Sequence, residues 1–172
     1  MDPALATLMS SPEFHKLAES VKAQVLKDQH LVEAFAKFLN DGGTFVIDNS
    51  FQGAIYHPGP PPVISAAVSI LTPGSDPYVP RAVFALAREI YHNEFQHYPT
   101  DGTGTLQQWA YNEAVATLQA YRALERMELD SQLDGLSMVQ FDAVELIRNS
   151  ANDAEAMQGL EAHYLNNPPS GH

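Results

Sequence analysis

The sequence of 172 residues contains no cysteine. Disulfide bonds and thiolate chemistry are therefore excluded, and a bound metal would have to be held by histidine, aspartate or glutamate side chains. Basic residues are also scarce, since nine lysines and arginines stand against 21 aspartates and glutamates, and the formal net charge is −12. Neither nucleic acid nor an anionic membrane surface is therefore expected as the main partner.

Long hydrophobic runs are missing as well. No stretch approaches the roughly 20 apolar residues of a membrane-spanning helix. The first residues, MDPALATLMSSPEF, lack the basic start and the long apolar run of a signal peptide. The composition is otherwise typical of a globular protein, with 45% hydrophobic and 17% charged residues. We expect one domain over residues 1–172, in which residues 166–172 form a flexible tail.

Helical and strand-like patterns occur in separate blocks along the chain. A start signal at Ser11-Pro12-Glu13 precedes apolar residues at helical spacing, and the second amphipathic stretch is Leu31 to Leu39. Short apolar segments bounded by turn-forming residues then predict two or three strands, and helical periodicity returns afterwards. The strand segments are 44–48, 53–57 and 63–71, and the later helical segments are 81–98, 106–129, 137–150 and 151–165. This order indicates an α+β fold.

The segment Arg88-Glu89-Ile90-Tyr91-His92 has the spacing of the H-E-x-x-H motif, with arginine at the first position. In that motif, two histidines one helical turn apart bind zinc, and the glutamate takes a proton from the metal-bound water. Glu89 and His92 occupy the positions of the glutamate and the second histidine. A Glu-x-x-His pair alone is a weak signal. However, Tyr111-Asn112-Glu113-Ala114 follows on the next predicted helix and adds a further carboxylate.

Residues 83–92 together with 111–114 resemble the zincin metallopeptidases, specifically the glutamate-zincins, in which an Asn-Glu-Ala motif provides the third zinc ligand. The resemblance implies a zincin-like fold with zinc as cofactor, Glu89 as general base, and His92 and Glu113 as zinc ligands. It also implies an edge strand, here Val63 to Ile70, that lies over the active-site helix and pairs with an extended protein or peptide substrate.

Compact zincins with this order of elements occur as bacterial effector and toxin domains. The resemblance therefore implies a metallopeptidase that acts in the cytoplasm or is delivered as an effector by a secretion system. An inhibitor or immunity protein is a further partner implied in this way. The helices after Leu129 correspond to nothing in that family.

Two positions depart from the family pattern. Arg88 stands where the first histidine ligand belongs, and a guanidinium is permanently protonated and cannot donate a lone pair to zinc. His92 and Glu113 alone would give two protein ligands, whereas catalytic zinc normally has three. Thr117 stands where thermolysin-like members carry an aspartate that supports the first histidine. The loss of a ligand together with its support is expected of a degenerate site.

Three interpretations of these residues remain open. In the first, a zinc site is completed by His97, from a loosened last turn of the helix, or by His57 from the sheet. In the second, Arg88 pairs with Glu113 and Glu89, and the domain is a catalytically inactive binding or effector module on a zincin scaffold. In the third, the four polar residues belong to two amphipathic helices and share no site.

Overall fold

The computed structural model describes residues 1–95 and 104–168, which form seven α-helices and one three-stranded sheet. The fold is α+β, as the sequence predicts. No helix in these residues is long and apolar enough to cross a membrane. The elements are α1 (Pro3–Ser10), α2 (Glu19–Val25), α3 (Gln29–Asn40), β1 (Thr44–Ile47), β2 (Ala54–His57), β3 (Val63–Ala66), α4 (Val79–Phe95), α5 (Leu106–Arg126), α6 (Met138–Arg148) and α7 (Asp153–Leu165).

The sheet has the strand order β1-β3-β2. β1 runs parallel to β3, while β2 and β3 form an antiparallel hairpin. The expectation of an edge strand from Val63 to Ile70 is therefore wrong. The strand ends at Ala66, because the next residue accepts hydrogen bonds from the N–H groups of Ile70 and Leu71 and begins a turn. Since β3 has a neighbour on each side, β1 and β2 are the edge strands, and β2 lies against α4.

Helix α4 packs against α2, α3, α5 and the sheet. Its apolar residues recur at helical spacing, and Val83, Leu86, Ala87 and Ile90 are fully buried. Helix α5 makes the most extensive contact with α4 and begins with a reciprocal capping box at Thr105. The packing of these two helices fixes the relative positions of the polar residues that the sequence singles out.

The helix predicted from the Ser-Pro-Glu start is interrupted at Ala18. Only a 3-10 turn, Phe14–Lys16, follows the start signal, and α2 begins after the interruption. The Ala18 N–H donates to the Ile70 carbonyl oxygen at 2.8 Å, and the Glu19 N–H donates to the Pro73 carbonyl oxygen at 3.2 Å. Because the loop after β3 binds both N–H groups, one regular helix cannot pass through this point.

The later helices lie where the periodicity predicts them. Helices α5, α6 and α7 each fall within the predicted segments and differ from them by a few residues at the ends. The predicted helix end before Pro99, the glycine-containing loop after it and residues 169–172 of the expected tail lie outside the described residues.

Candidate functional site

Four polar side chains of α4 and α5 meet in the interior and form what we term the α4–α5 cluster: Arg88, Glu89, His92 and Glu113. Each of these side chains is between 9% and 16% exposed. The first three lie on one stretch of α4, and Glu113 reaches them from the facing side of α5. The structure thus brings together the residues of the degenerate motif, and the interpretation that they share no site is wrong.

Glu113 is the centre of the cluster because each of its carboxylate oxygens faces a different partner. Arg88 Nη2 donates to Glu113 Oε2 at 2.8 Å. His92 Nε2 lies 3.2 Å from Glu113 Oε1. The contact between Arg88 Nη1 and Glu89 Oε1 is longer, at 3.9 Å, and is an ion pair without a hydrogen bond.

Strand β2 contributes Tyr56 to the cluster in two ways. The Tyr56 backbone N–H donates to Glu89 Oε2 at 3.0 Å. Its ring stacks on the His92 imidazole, with 6.2 Å between ring centroids and an interplanar angle of 15°. Sequence reasoning missed this residue, because its main contribution is a backbone N–H that every non-proline residue carries.

A chain of hydrogen bonds runs from the Nε atom of Arg88 to residues of α5, α7 and α6. Arg88 Nε donates to Thr117 Oγ1 at 3.2 Å, and Thr117 Oγ1 lies 2.7 Å from the Tyr164 hydroxyl. The Tyr164 hydroxyl donates to Gln140 Oε1 at 3.1 Å, so the Thr117 hydroxyl is the donor to Tyr164. Arg88 and Thr117, the two residues at which the sequence departs from the family pattern, are thus in direct contact. The Thr117 hydroxyl oxygen accepts a hydrogen bond from the Arg88 guanidinium.

The two carboxyl groups of the cluster differ in their pKa. Burial alone would raise the pKa of Glu113, but the positive charges of His92 and Arg88 outweigh burial and lower it to about 2. Burial raises the pKa of Glu89 above its ordinary value, and the neighbouring cations only partly oppose this. Glu113 is thus the ionised partner of the two cations, whereas Glu89 is the carboxyl that protonates more readily.

The basic groups respond to Glu113 in the opposite sense. Burial would lower the pKa of His92, yet the charge of Glu113 and the contact with its carboxylate raise the His92 pKa above the ordinary value. Burial also opposes the charge on Arg88, but the acidic groups around it, Tyr164, Glu113 and Glu89, raise the pKa of the guanidinium. Arg88 is therefore a fixed cation, and His92 is stabilised in its protonated form.

The cluster does not fit the zinc site that the resemblance implies. A zinc ligand needs a deprotonated imidazole nitrogen, whereas His92 Nε2 is directed at Glu113 and its protonated form is favoured. Glu113 already pairs with Arg88, whose positive charge would repel a metal ion at the same place. Among residues 1–95 and 104–168, no group of three or more His, Asp or Glu side chains is arranged to hold a metal ion.

The two histidines considered as replacement ligands lie elsewhere. His57 is on β2, and its Nε2 lies 3.1 Å from Ser65 Oγ on the exposed side of the sheet. Because side chains alternate along a strand, His57 points away from the side on which Tyr56 meets the cluster. His97 lies outside the described residues.

Comparisons with protein families, with curated proteins and with solved structures found no match to this chain. Within the cluster, the Arg88 guanidinium donates to the Glu113 carboxylate at 2.8 Å, and this contact is the main clue to the role of these residues.

Proposed function

We propose that the chain is a catalytically inactive binding or effector module of zincin-like design, in which an ion-pair cluster replaces the zinc centre. The observation that supports this proposal is the bonding of Arg88. Its guanidinium donates to Glu113 at 2.8 Å and to Thr117 at 3.2 Å. Such charge-assisted hydrogen bonds neutralise and order the same groups that a metal ion would otherwise neutralise and order.

The bonding of Glu89 also supports an inactive site. In a metallopeptidase the corresponding carboxylate receives a proton from water that a Lewis acid has activated. Here Glu89 accepts a hydrogen bond from the backbone of β2 and lies next to the Arg88 cation. A guanidinium has no empty orbital or free lone pair with which to bind and activate water. Glu89 therefore acts as a structural acceptor in this proposal.

The partner in this proposal is a protein or peptide, but it does not align along β2 as a zincin substrate would. An added strand needs the outward N–H groups of the edge strand. The Tyr56 N–H, which points away from β3, is already bound by Glu89. Delivery as a bacterial effector and recognition by an inhibitor or immunity protein enter the proposal only through the resemblance of residues 83–92 and 111–114.

Zinc content tests this proposal directly. The parent protein, purified without chelator, and the Arg88→His variant are analysed for zinc, with Arg122→His as a control for a new surface histidine. We expect far less than one zinc per chain in the parent and in the control, and about one in Arg88→His, because the substitution restores a third ligand. Chelator should leave the thermal stability of the parent unchanged.

Other results would contradict the proposal. Stoichiometric zinc in the parent that is lost in Glu113→Gln would identify a zinc peptidase, whose activity should then disappear in Glu89→Gln. If neither the parent nor Arg88→His binds zinc, the zincin resemblance is a coincidence of spacing, and the cluster is an ion-pair network without that ancestry.

A further inference from the structure

A cavity of about 360 Å³ opens beside the α4–α5 cluster, between α4, the segment before β2 and the beginning of α6. Its volume lies within the range of small-molecule binding sites. Two arginines of α4, Arg81 and Arg88, contribute to its wall, and none of the described residues that line it is an aspartate or glutamate. In a chain with a net charge of −12, this local excess of positive charge is the reverse of the overall composition.

Arg81 has no ion pair with any described residue. Its guanidinium lies over the Tyr78 ring, 5.6 Å from the ring centroid, and an added Cβ at Gly135 would collide with its Nη1 atom. Since Gly135 also lines the cavity, the charge of Arg81 is located at the cavity wall. The other four arginines each have a carboxylate oxygen within 2.9 Å: Arg88, Arg122, Arg126 and Arg148.

Two further side chains that line the cavity, Arg88 and Gln140, carry N–H groups that make no hydrogen bond in the described part of the chain. Arg88 uses Nε and Nη2 for its hydrogen bonds within the protein, whereas Nη1 has only the 3.9 Å contact with Glu89. Gln140 accepts from Tyr164 through Oε1, and its side-chain nitrogen has no hydrogen-bond partner in the described part of the chain. The polar part of the cavity therefore offers donors and positive charge, which suit an anion.

The rest of the wall is apolar and includes Phe84, Ala85 and Leu136. A fully hydrated inorganic ion would gain nothing from these residues, whereas a ligand with an apolar body would bury it against them. The planar guanidinium matches the two oxygens of a carboxylate, which can accept two parallel hydrogen bonds. The lining thus combines a carboxylate-binding end with an apolar end.

We propose that this cavity binds a carboxylate carried on an apolar group, either a small organic acid or the C-terminal residue of a peptide. The carboxylate would contact Arg81 and the Nη1 atom of Arg88, and the apolar group would lie against Phe84 and Leu136. The inference rests on the proposed binding function, since it requires Arg88 to remain a cation held by Glu113 and not to be displaced by a metal.

Calorimetric titration with 3-phenylpropionate tests the proposal, and 3-phenylpropionamide serves as an uncharged ligand of the same shape. We expect the acid to bind at least about tenfold more tightly than the amide, which corresponds to about 1.4 kcal/mol. Arg81→Gln should weaken binding of the acid by at least a similar factor. Arg122→Gln removes an arginine that does not line the cavity and should leave binding unchanged.

A second variant keeps both charges and changes only the shape of the cavity. Ala85→Leu places a larger side chain in the apolar wall, so binding should be lost while the circular dichroism spectrum remains that of the parent. A peptide ending in phenylalanine, with a free or an amidated C-terminus, then distinguishes the two sources of carboxylate. Tighter binding of the free-terminus peptide than of phenylpropionate identifies a peptide ligand, and the reverse identifies a small acid.

Equal affinity for acid and amide, or no saturable binding of the acid, would overturn this inference while leaving the zinc result of the proposed function intact. Each titration is repeated after treatment with chelator to separate the two proposals. Binding that disappears with chelator and survives Arg81→Gln would assign the carboxylate to a metal. That outcome would overturn both.

Discussion

Arg88 and Glu113 show how much a single buried charge depends on its partner. Both side chains are largely shielded from water, at 13% and 16% exposure. Removal of one member of the pair leaves the other as an uncompensated charge in the interior. Replacement of both by apolar groups removes the ion pair, but it also removes the desolvation penalty of the two charges. The energetic consequence of a substitution therefore depends on whether the pair is broken or replaced.

Arg88→Met should lower the free energy of unfolding by about 3 kcal/mol, because Glu113 loses its closest cation. The double variant Arg88→Met/Glu113→Met should lose less than the sum of the two single variants, as measured by urea denaturation at neutral pH. Arg122→Met, which breaks a more exposed pair, should cost less than about 1 kcal/mol. Equal losses at positions 88 and 122 would show that the buried pair has no special role.

His92 and Glu113 predict a defined pH window for the stability of the cluster. The raised pKa of His92 stabilises the folded state below the unfolded value of 6.5, and this contribution is lost as the pH rises through the folded pKa. The pKa of Glu113 is lowered to about 2, so its contribution is present above the unfolded value of 4.5 and is lost as the pH falls towards 2. Their pairing should therefore contribute most between these two unfolded values.

His92→Phe tests this window and keeps an aromatic ring against Tyr56. The parent should exceed the variant in unfolding free energy by about 2 kcal/mol within the window. The difference should shrink as the pH rises further, because the histidine loses its proton. A difference that does not depend on pH would mean that His92 contributes through packing and not through its charge.

The four members of the α4–α5 cluster can be predicted from the sequence, whereas the residues that support them cannot. Arg88, Glu89 and His92 share a helix, and the Asn-Glu-Ala motif identifies Glu113 as their partner. Tyr164 lies 51 positions after Glu113, on a helix without a motif, and only the packing of α7 on α5 brings the two close. Contacts between residues of one local motif can thus be predicted from the sequence, whereas contacts that form only when distant helices pack together cannot.

At the scale of elements, Asp28 connects the start of α3 with the end of α5. Its Oδ2 accepts from the Leu31 N–H at 3.1 Å and so caps α3. Both carboxylate oxygens also accept from Arg126, at 2.6 Å and 2.9 Å. The Asp28 carboxylate is only 4% exposed, whereas the Arg126 side chain is 37% exposed, so the cap is buried and the bidentate pair is shielded on the Asp28 side alone.

Asp28→Ala should therefore cost more than an ordinary helix cap, about 2 kcal/mol, because it removes a buried cap together with the ion pair to the partly exposed Arg126. Asp28→Asn retains an oxygen for the cap and should lose less. Asn152→Ala removes the exposed cap of α7 and should cost about 1 kcal/mol. Thermal denaturation of the three variants measures these differences, and equal losses for Asp28→Ala and Asn152→Ala would contradict a double role.

Whether a helix can be predicted from the sequence depends on how far apart along the chain the residues lie that determine its bounds. Helices α5 to α7 follow from local periodicity, which needs only neighbouring residues. The interruption at Ala18 is caused by the Ile70 carbonyl oxygen, 52 residues away, and no local pattern contains it. Helix α1 was not predicted, although Asp2 caps it and a proline follows, because its eight residues give too short a periodic signal.

At the scale of the whole molecule, Tyr164 connects the two C-terminal helices, α6 and α7, to α5. It is 2% exposed, and its hydroxyl links Thr117 of α5 with Gln140 of α6. Tyr164→Phe should cost about 1 to 2 kcal/mol in unfolding free energy, because the buried Thr117 and the half-buried Gln140 each lose a hydrogen-bond partner. In a double-mutant cycle with Thr117→Val, measured by urea denaturation, the double variant should lose less unfolding free energy than the two single variants lose in sum. Strict additivity would show that the two hydroxyls act independently.

The position of Arg88, which belongs to both the cavity wall and the α4–α5 cluster, has a consequence for the energetics of the whole molecule. Arg88 lowers the proton affinity of Glu89 and of His92. An anion held against Nη1 would offset part of that effect, and both groups would bind protons more tightly. Occupation of the cavity and proton uptake would then be thermodynamically linked, and by reciprocity acidification would strengthen the binding of the anion. The affinity of the cavity for its ligand would in this way respond to pH.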